Sequence, residues 1–242
     1  MTMKKVAFFV EGQTEADFVV KYLKEITSKK GLVTVREGKG GKKFPRVFTQ
    51  TYQDGESGRD YQIDIYVSGA DNRVNSDILD NLNTLGRSGF ELVIGLRDLR
   101  GQKNDQTPFT LADLPTVENV TRMMFSGKNP PVKSSIAVME VETWFMAETN
   151  HYQTIDPMLT ETVIKANIAT TGVDPYVDDL TQVVQPAETL DAIYKLVGKS
   201  YDKTATVRQA TVDALDYANL YINVPARLAK FDEFARMIDS IF

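Results

Sequence analysis

The 242-residue chain contains no cysteine, one histidine (His151) and one tryptophan (Trp144). Without thiols, disulfides, zinc–thiolate centres, iron–sulfur clusters and cysteine nucleophiles are excluded. A Ser-His-Asp triad would have to use His151 and is disfavoured; a surface or locally packed histidine is the expectation. Any metal would be held mainly by carboxylates, which suits hard cations such as Mg²⁺, Mn²⁺ or Ca²⁺. Long apolar runs are missing too. The run Val6–Val10 stops at Glu11 and is too short for a signal-peptide core. No stretch approaches the roughly 20 apolar residues of a membrane helix. The expectation is a cytoplasmic protein with no membrane partner.

Positive charge is in short supply overall, with 28 Lys and Arg against 33 Asp and Glu and a net charge of −5. It is also unevenly placed. Residues 29–60 hold eight Lys and Arg against four Asp and Glu, whereas residues 151–242 hold eight against thirteen. A local field of this kind still permits a nucleic-acid partner, but it argues against a coat-like, non-specific binder.

Hydrophobic patterning supplies the elements. Lys4–Val10 reads as a buried strand. Thr14 and Asp17 form a capping-box-like helix start, followed by Phe18, Val19, Tyr22, Leu23 and Ile26 on one helical face. Strands are expected at Leu32–Arg36, Tyr61–Ser68, Phe90–Leu96 and Ser134–Met139, and helices at Val74–Leu85 and Val117–Phe125. Residues 37–60 and 102–114 read as polar loops. Beyond residue 147 the pattern is helical, near 187–197, 205–218 and 225–241. Strand–helix alternation followed by helices implies an α/β fold: a mostly parallel, Rossmann-like sheet flanked by helices, with a helical C-terminal extension. The expected division is an α/β domain over residues 1–150 and a mostly helical region over residues 151–242 packed on it.

In open α/β sheets ligands bind beyond the carboxyl ends of the strands. Acidic residues stand there four times: Glu11, Asp71, Asp98, and Glu140 with Glu142. Carboxylates gathered together repel, so a pKa rises or cations neutralise the set, and a divalent-metal site would resolve the conflict. Taken singly, each could instead sit at a loop start or helix N-terminus, as suits Glu15. Glu140 and Glu142 would point to one side of an extended chain but diverge by about 200° on a helix. Gly198-Lys199-Ser200 lacks the preceding glycine of a phosphate-binding loop, and Trp144 with Phe145 suits a core better than a base-stacking platform.

Val10–Glu15 directly after a strand, Arg97–Gly101, Glu140-Val141-Glu142-Thr143-Trp144-Phe145, Tyr201–Thr204 and Phe231–Ile238 together resemble a TOPRIM-like group of prokaryotic proteins. That group is related to overcoming-lysogenization-defect nucleases and is often encoded beside ABC/SMC-type ATPases in phage-defence loci. The resemblance implies a TOPRIM-like fold and Mg²⁺- or Mn²⁺-dependent cleavage of DNA or RNA, tRNA included. Glu11, Asp98 and Glu140 would be catalytic, and Glu142 would join them as a metal ligand. Gly12, Thr14 and Glu15 would support the first motif. Arg97, Arg100, Lys103, Lys42, Lys43 and Lys203 would contact phosphate, with Lys39, Arg46 and Lys199 as further candidates. One departure stands out: Arg100 occupies the place of the second aspartate in the family's Asp-x-Asp. That substitution leaves open an alternative, a degenerate, non-enzymatic regulatory partner of an ATPase. An arginine from position 97 or 100 bridged into Glu11 would be its mark.

Overall fold

Lys4–Val10 forms β1, whose side chains alternate between the two faces of a sheet. Val6, Phe8 and Val10 join one apolar cluster, and Ala7 and Phe9 the other. In this computed structural model the described residues are 4–26, 36–37, 46–53, 60–69, 73–100 and 107–242. Helix α1 (Gln13–Ile26) follows, then β2 (Arg36–Glu37), β3 (Arg46–Gln53), β4 (Asp60–Val67), α2 (Val74–Arg87), β5 (Phe90–Asp98), α3 (Leu114–Phe125) and β6 (Val132–Ala137). The sheet order is β2-β3-β4-β1-β5-β6. Strands β4, β1, β5 and β6 are mutually parallel, while β3 runs antiparallel to both β2 and β4. The fold is therefore α/β, a largely parallel, Rossmann-like sheet with flanking helices and a helical C-terminal region. The expected loop over 37–60 is corrected by β3. The expected strand Leu32–Arg36 lies outside the described residues except for Arg36, which begins β2.

Helix α2 lays Val74, Ile78, Leu82 and Leu85 on one face of the sheet beside Phe125 of α3. Gly95 of β5 permits that approach, since a Cβ there would lie 3.0 Å from the Ile78 Cδ1. The other face is larger. Five short helices and three longer ones follow the sheet: α4 (Glu142–Ala147), α5 (His151–Ile155), α6 (Glu161–Ala166), α7 (Ile168–Thr171), α8 (Pro186–Lys195), α9 (Ala205–Ala214), α10 (Tyr217–Ile222) and α11 (Ala229–Asp239). Their apolar residues merge with those of β1 and α1 in one core. At its centre Trp144 lies 5.1 Å, ring to ring, from both Phe231 and Phe234, and 5.8 Å from Phe18. Each such aromatic contributes roughly 1.5–3 kcal/mol by leaving water. Trp144 and Phe145 are thus core residues, as their pattern suggested. No helix among the described residues is long and apolar enough to cross a membrane.

Candidate functional site

Parallel pairing brings the carboxyl ends of β1, β5 and β6 to one edge of the sheet, and the acidic residues follow. Glu11 leaves β1, and its carboxylate accepts the Asp98 N–H at 3.2 Å. Asp98 ends β5 and is 3% exposed. Glu15 arrives from α1. The helix begins one residue before the expected Thr14 start, and its cap is Gly12. The Glu15 carboxylate, three residues on, accepts the Gly12 N–H at 2.8 Å, one half of the capping box that Thr14 and Asp17 were expected to supply. A Cβ at position 12 would come within 3.0 Å of that same oxygen, so glycine allows the approach.

Glu140 and Glu142 reach the cluster through an unusual turn. Met139 has a φ of 61°, a left-handed conformation rare for a side chain of its kind, held by the Glu140 N–H and the Thr143 hydroxyl, both donating to the Val138 carbonyl. Glu140 precedes α4 and Glu142 begins it. Neither simple expectation holds, neither a shared extended strand nor a helix from Glu140. Both side chains nevertheless converge on Lys203, whose Nζ lies 3.2 Å from an oxygen of each.

The cations beside these carboxylates are the chain's own. Arg100 Nη1 donates to Glu140, and the Ala187 N–H donates to its other oxygen at 3.1 Å. The Tyr201 hydroxyl donates to Glu142 at 2.7 Å. Burial works against the charge on Glu140, but Lys203, the Ala187 N–H and Arg100 outweigh it and hold the carboxyl below its ordinary range. Glu142 is fully buried, and burial, with Glu140 adding to it, wins over Lys203 and Tyr201, so its pKa is raised. Burial first, then the charges of Glu15, Glu11, Glu142 and Glu140, push Asp98 well above the ordinary carboxylate range. Burial and the Glu142 charge push Glu15 up to about 7. The repulsion expected of such a gathering shows in the raised pKa values of Asp98, Glu15 and Glu142, while the Lys203 ammonium and the Arg100 guanidinium offset it at Glu140.

A pH dependence follows. Glu15 binds its proton more tightly folded than unfolded, so its contribution to stability is complete below about pH 4.5 and is lost as pH rises through about 7. Glu15→Gln keeps an acceptor for the Gly12 N–H and removes the charge. It should raise the melting temperature at about pH 8, through a gain on the order of 1–3 kcal/mol, and the gap should close near pH 5. Melting curves across this range check it; a gap independent of pH would sink the assignment.

Several residues expected to contact phosphate have partners within the fold. Arg97 Nε donates to the Asp98 carbonyl at 3.4 Å, and Arg100 and Lys203 are committed to the carboxylates. Lys199 faces Asp156 at 3.8 Å. Lys39, Lys42, Lys43, Lys103 and Asp71 lie outside the described residues, and of Arg46 only the strand is described. Thr14 is buried beneath the first motif. Among the described residues no group of three or more His, Asp or Glu is placed to hold a metal ion.

A second buried charge escaped the sequence reading. Glu148, wholly buried, accepts from the N–H groups of Asn150 (2.9 Å), His151 (3.0 Å) and Asp216 (3.1 Å) and from the Asn219 amide (2.6 Å). Burial opposes its charge, but His151 beside it and these donors hold its pKa below the ordinary value. His151 is equally buried and packs against Tyr152, so of the two placements expected for it the surface one is corrected. A glutamate followed three residues later by histidine was the available signal, too common to stand out.

No family model and no curated protein matches the chain. Among solved structures it is similar to a PAC2 family protein from Streptomyces avermitilis, with 15% identity over 54% of this chain and 74% of that one and a TM-score of 0.28. It is also similar to a proteasome-assembly chaperone homologue from Mycobacterium tuberculosis, with 11% identity over 85% of this chain and 99% of that one and a TM-score of 0.28. Neither is a TOPRIM-like nuclease. The expectations of membership in that group and of a metal-binding nuclease are corrected to what was found: similarities of another kind and, among the described residues, no group placed to hold a metal ion. At the site, Arg100 and Lys203, expected to contact phosphate, bridge the carboxylates Glu140 and Glu142 that were expected to bind metal.

Proposed function

We propose that the chain is a non-enzymatic protein that acts by binding another protein, and that its strand-end acidic cluster is a structural element neutralised from within. One observation carries this reading: Lys203 lies 3.2 Å from both Glu140 and Glu142 while Arg100 bonds Glu140, so the cluster's counter-charges come from the fold itself. Arg100 stands where a second aspartate was expected, and it bridges to Glu140 rather than to Glu11, the partner anticipated for a degenerate site. Of the partner classes the sequence raised, an ATPase is a protein and fits this reading; a nucleic-acid substrate does not.

The test is metal binding read by stability. Millimolar Mg²⁺ or Mn²⁺ should leave the melting temperature within about 1 °C, and plasmid and tRNA should stay intact in their presence. A cation binding the folded chain at a hundred times its dissociation constant would add about 2.7 kcal/mol, roughly 5–10 °C for a chain of this size. A shift of that order, abolished by Asp98→Asn, would overturn the reading.

A further inference from the structure

Strand β6 lies at one edge of the sheet. The Val93 N–H donates to the Pro131 carbonyl at 3.0 Å and the Leu99 N–H to the Ala137 carbonyl at 2.9 Å. In a parallel ladder alternate residues pair with the neighbouring strand, and those between turn both main-chain groups away. With this register Lys133, Ser135 and Ala137 pair with β5, whereas Val132, Ser134 and Ile136 turn their N–H and C=O groups outward, where no described strand lies.

An edge of this kind is a template for another strand. Here it opens into a groove of about 560 Å³ between α3 and α11, lined by Val132, Ser134 and Ile136 together with Phe125 and Met237. The Ser134 hydroxyl in this lining is buried without a hydrogen-bond partner. Lys230 of α11 bonds Glu118 of α3 at 2.5 Å and Glu233 at 2.6 Å, which joins the two walls and offsets one of the two acidic charges, so that with Arg122 and Lys133 the lining keeps a net positive charge. Two lining cations are left with neutral oxygens: Arg122 donates to the Asn119 side chain at 2.7 Å and Lys133 to the Ser240 hydroxyl at 2.9 Å. On the outer side of α3, Val120 is 53% and Met123 69% exposed, an apolar flank beside the groove.

We propose that this groove receives an extended segment of a protein partner as a seventh strand, apolar at alternate positions and carrying an acidic side chain for Arg122 and Lys133. The outward N–H and C=O groups of Val132, Ser134 and Ile136 supply the main-chain bonds, and the two cations select the charge. Five residues of extended chain, about 13–17 Å, match the length of edge offered. The inference rests on the protein-binding reading above and names its surface.

The experiment uses the full chain and labelled synthetic peptides of about nine residues, alternating Val with Thr and Glu. Controls replace Glu by Lys, or place Pro at alternate positions. The acidic peptide should bind, the Lys form at least roughly tenfold more weakly, and the Pro form not at all. In hydrogen exchange followed by NMR, the amides of Val132, Ser134 and Ile136 should slow by about tenfold or more, while Lys133 and Ser135, already paired, stay unchanged. The double substitution Arg122→Glu with Lys133→Glu, both at the polar lining, should reverse the charge preference. Three results would overturn the proposal: no protection at saturating peptide, equal binding of the Pro form, or protection of the same amides by self-association of the chain without peptide. Because metal binding is read separately, by melting, failure of the peptides with metals still inert removes the groove assignment and leaves the reading of the acidic cluster standing.

Discussion

Replacing Lys203 by methionine is expected to lower the melting temperature by about 5–10 °C at neutral pH, the larger part of that loss disappearing near pH 5. The ammonium stands 3.2 Å from both Glu140 and Glu142, and these are 1% and 0% exposed. Removing one partner of a buried charge set typically costs about 3–5 kcal/mol because the remaining charge is left without compensation. Lys203 itself is 46% exposed along its side chain, so water already screens part of its attraction, and a loss of about 2–3 kcal/mol is the appropriate scale. Glu142, whose pKa is already raised, can respond by taking a proton, and acid therefore rescues the variant. The double variant Lys203→Met with Glu142→Gln should recover most of the loss at neutral pH. Stability that is unchanged in the single variant would show that solvent, not Lys203, neutralises the cluster.

Phe234→Ala should cost more, about 3–5 kcal/mol or about 6–20 °C in melting temperature. Its ring packs 5.1 Å from Trp144, 5.7 Å from Tyr22 and 6.2 Å from Phe18, so truncation opens a cavity bounded by α1, α4 and α11 at once. Trp144, the one tryptophan, reports on the result directly: its emission should shift to the red in the variant even before unfolding, as water reaches the cavity. A red shift without loss of stability would mean the helical layer repacks freely. A loss of stability with unchanged emission would place the damage elsewhere than at Trp144.

Much of the fold was legible because several elements are long and periodic. Lys4–Val10 is a run that only a buried strand accommodates, and Val74, Ile78, Leu82 and Leu85 mark one helical face without competition. Strand β3 was hidden by its setting. Arg46–Gln53 carries Thr, Gln and Arg among its apolar residues and lies next to a Gly- and Lys-rich stretch, and its identity comes from pairing with β4 rather than from its own pattern. Helices α4 to α7 span four to six residues each, less than two turns, so no 3.6-residue period can establish itself. At the site, Glu11, Asp98, Glu140 and Glu142 come together because the carboxyl ends of β1, β5 and β6 lie side by side. Their counter-charge was not legible in the sequence. Arg100 and Lys203 lie 40 and 63 residues from Glu140 along the chain, and nothing local distinguishes a lysine that will fold back into an acidic cluster from one that will meet phosphate.

Glu148 bears on how the helical layer finds its place. Apolar side chains grip one another almost as well after a small slide, so a layer of short helices held by them alone would have several alignments of similar energy. An anion that takes hydrogen bonds from the Asn150, His151 and Asp216 main chain and from the Asn219 side chain, all between 2.6 and 3.1 Å, tolerates no such slide. The starts of α5 and α10 are thereby pinned to the end of α4 at one point, as a dowel fixes two boards that glue alone would let creep. The same layer carries α11, the far wall of the groove along β6. A carboxylate remote from the groove thus fixes the layer to which one of its walls belongs.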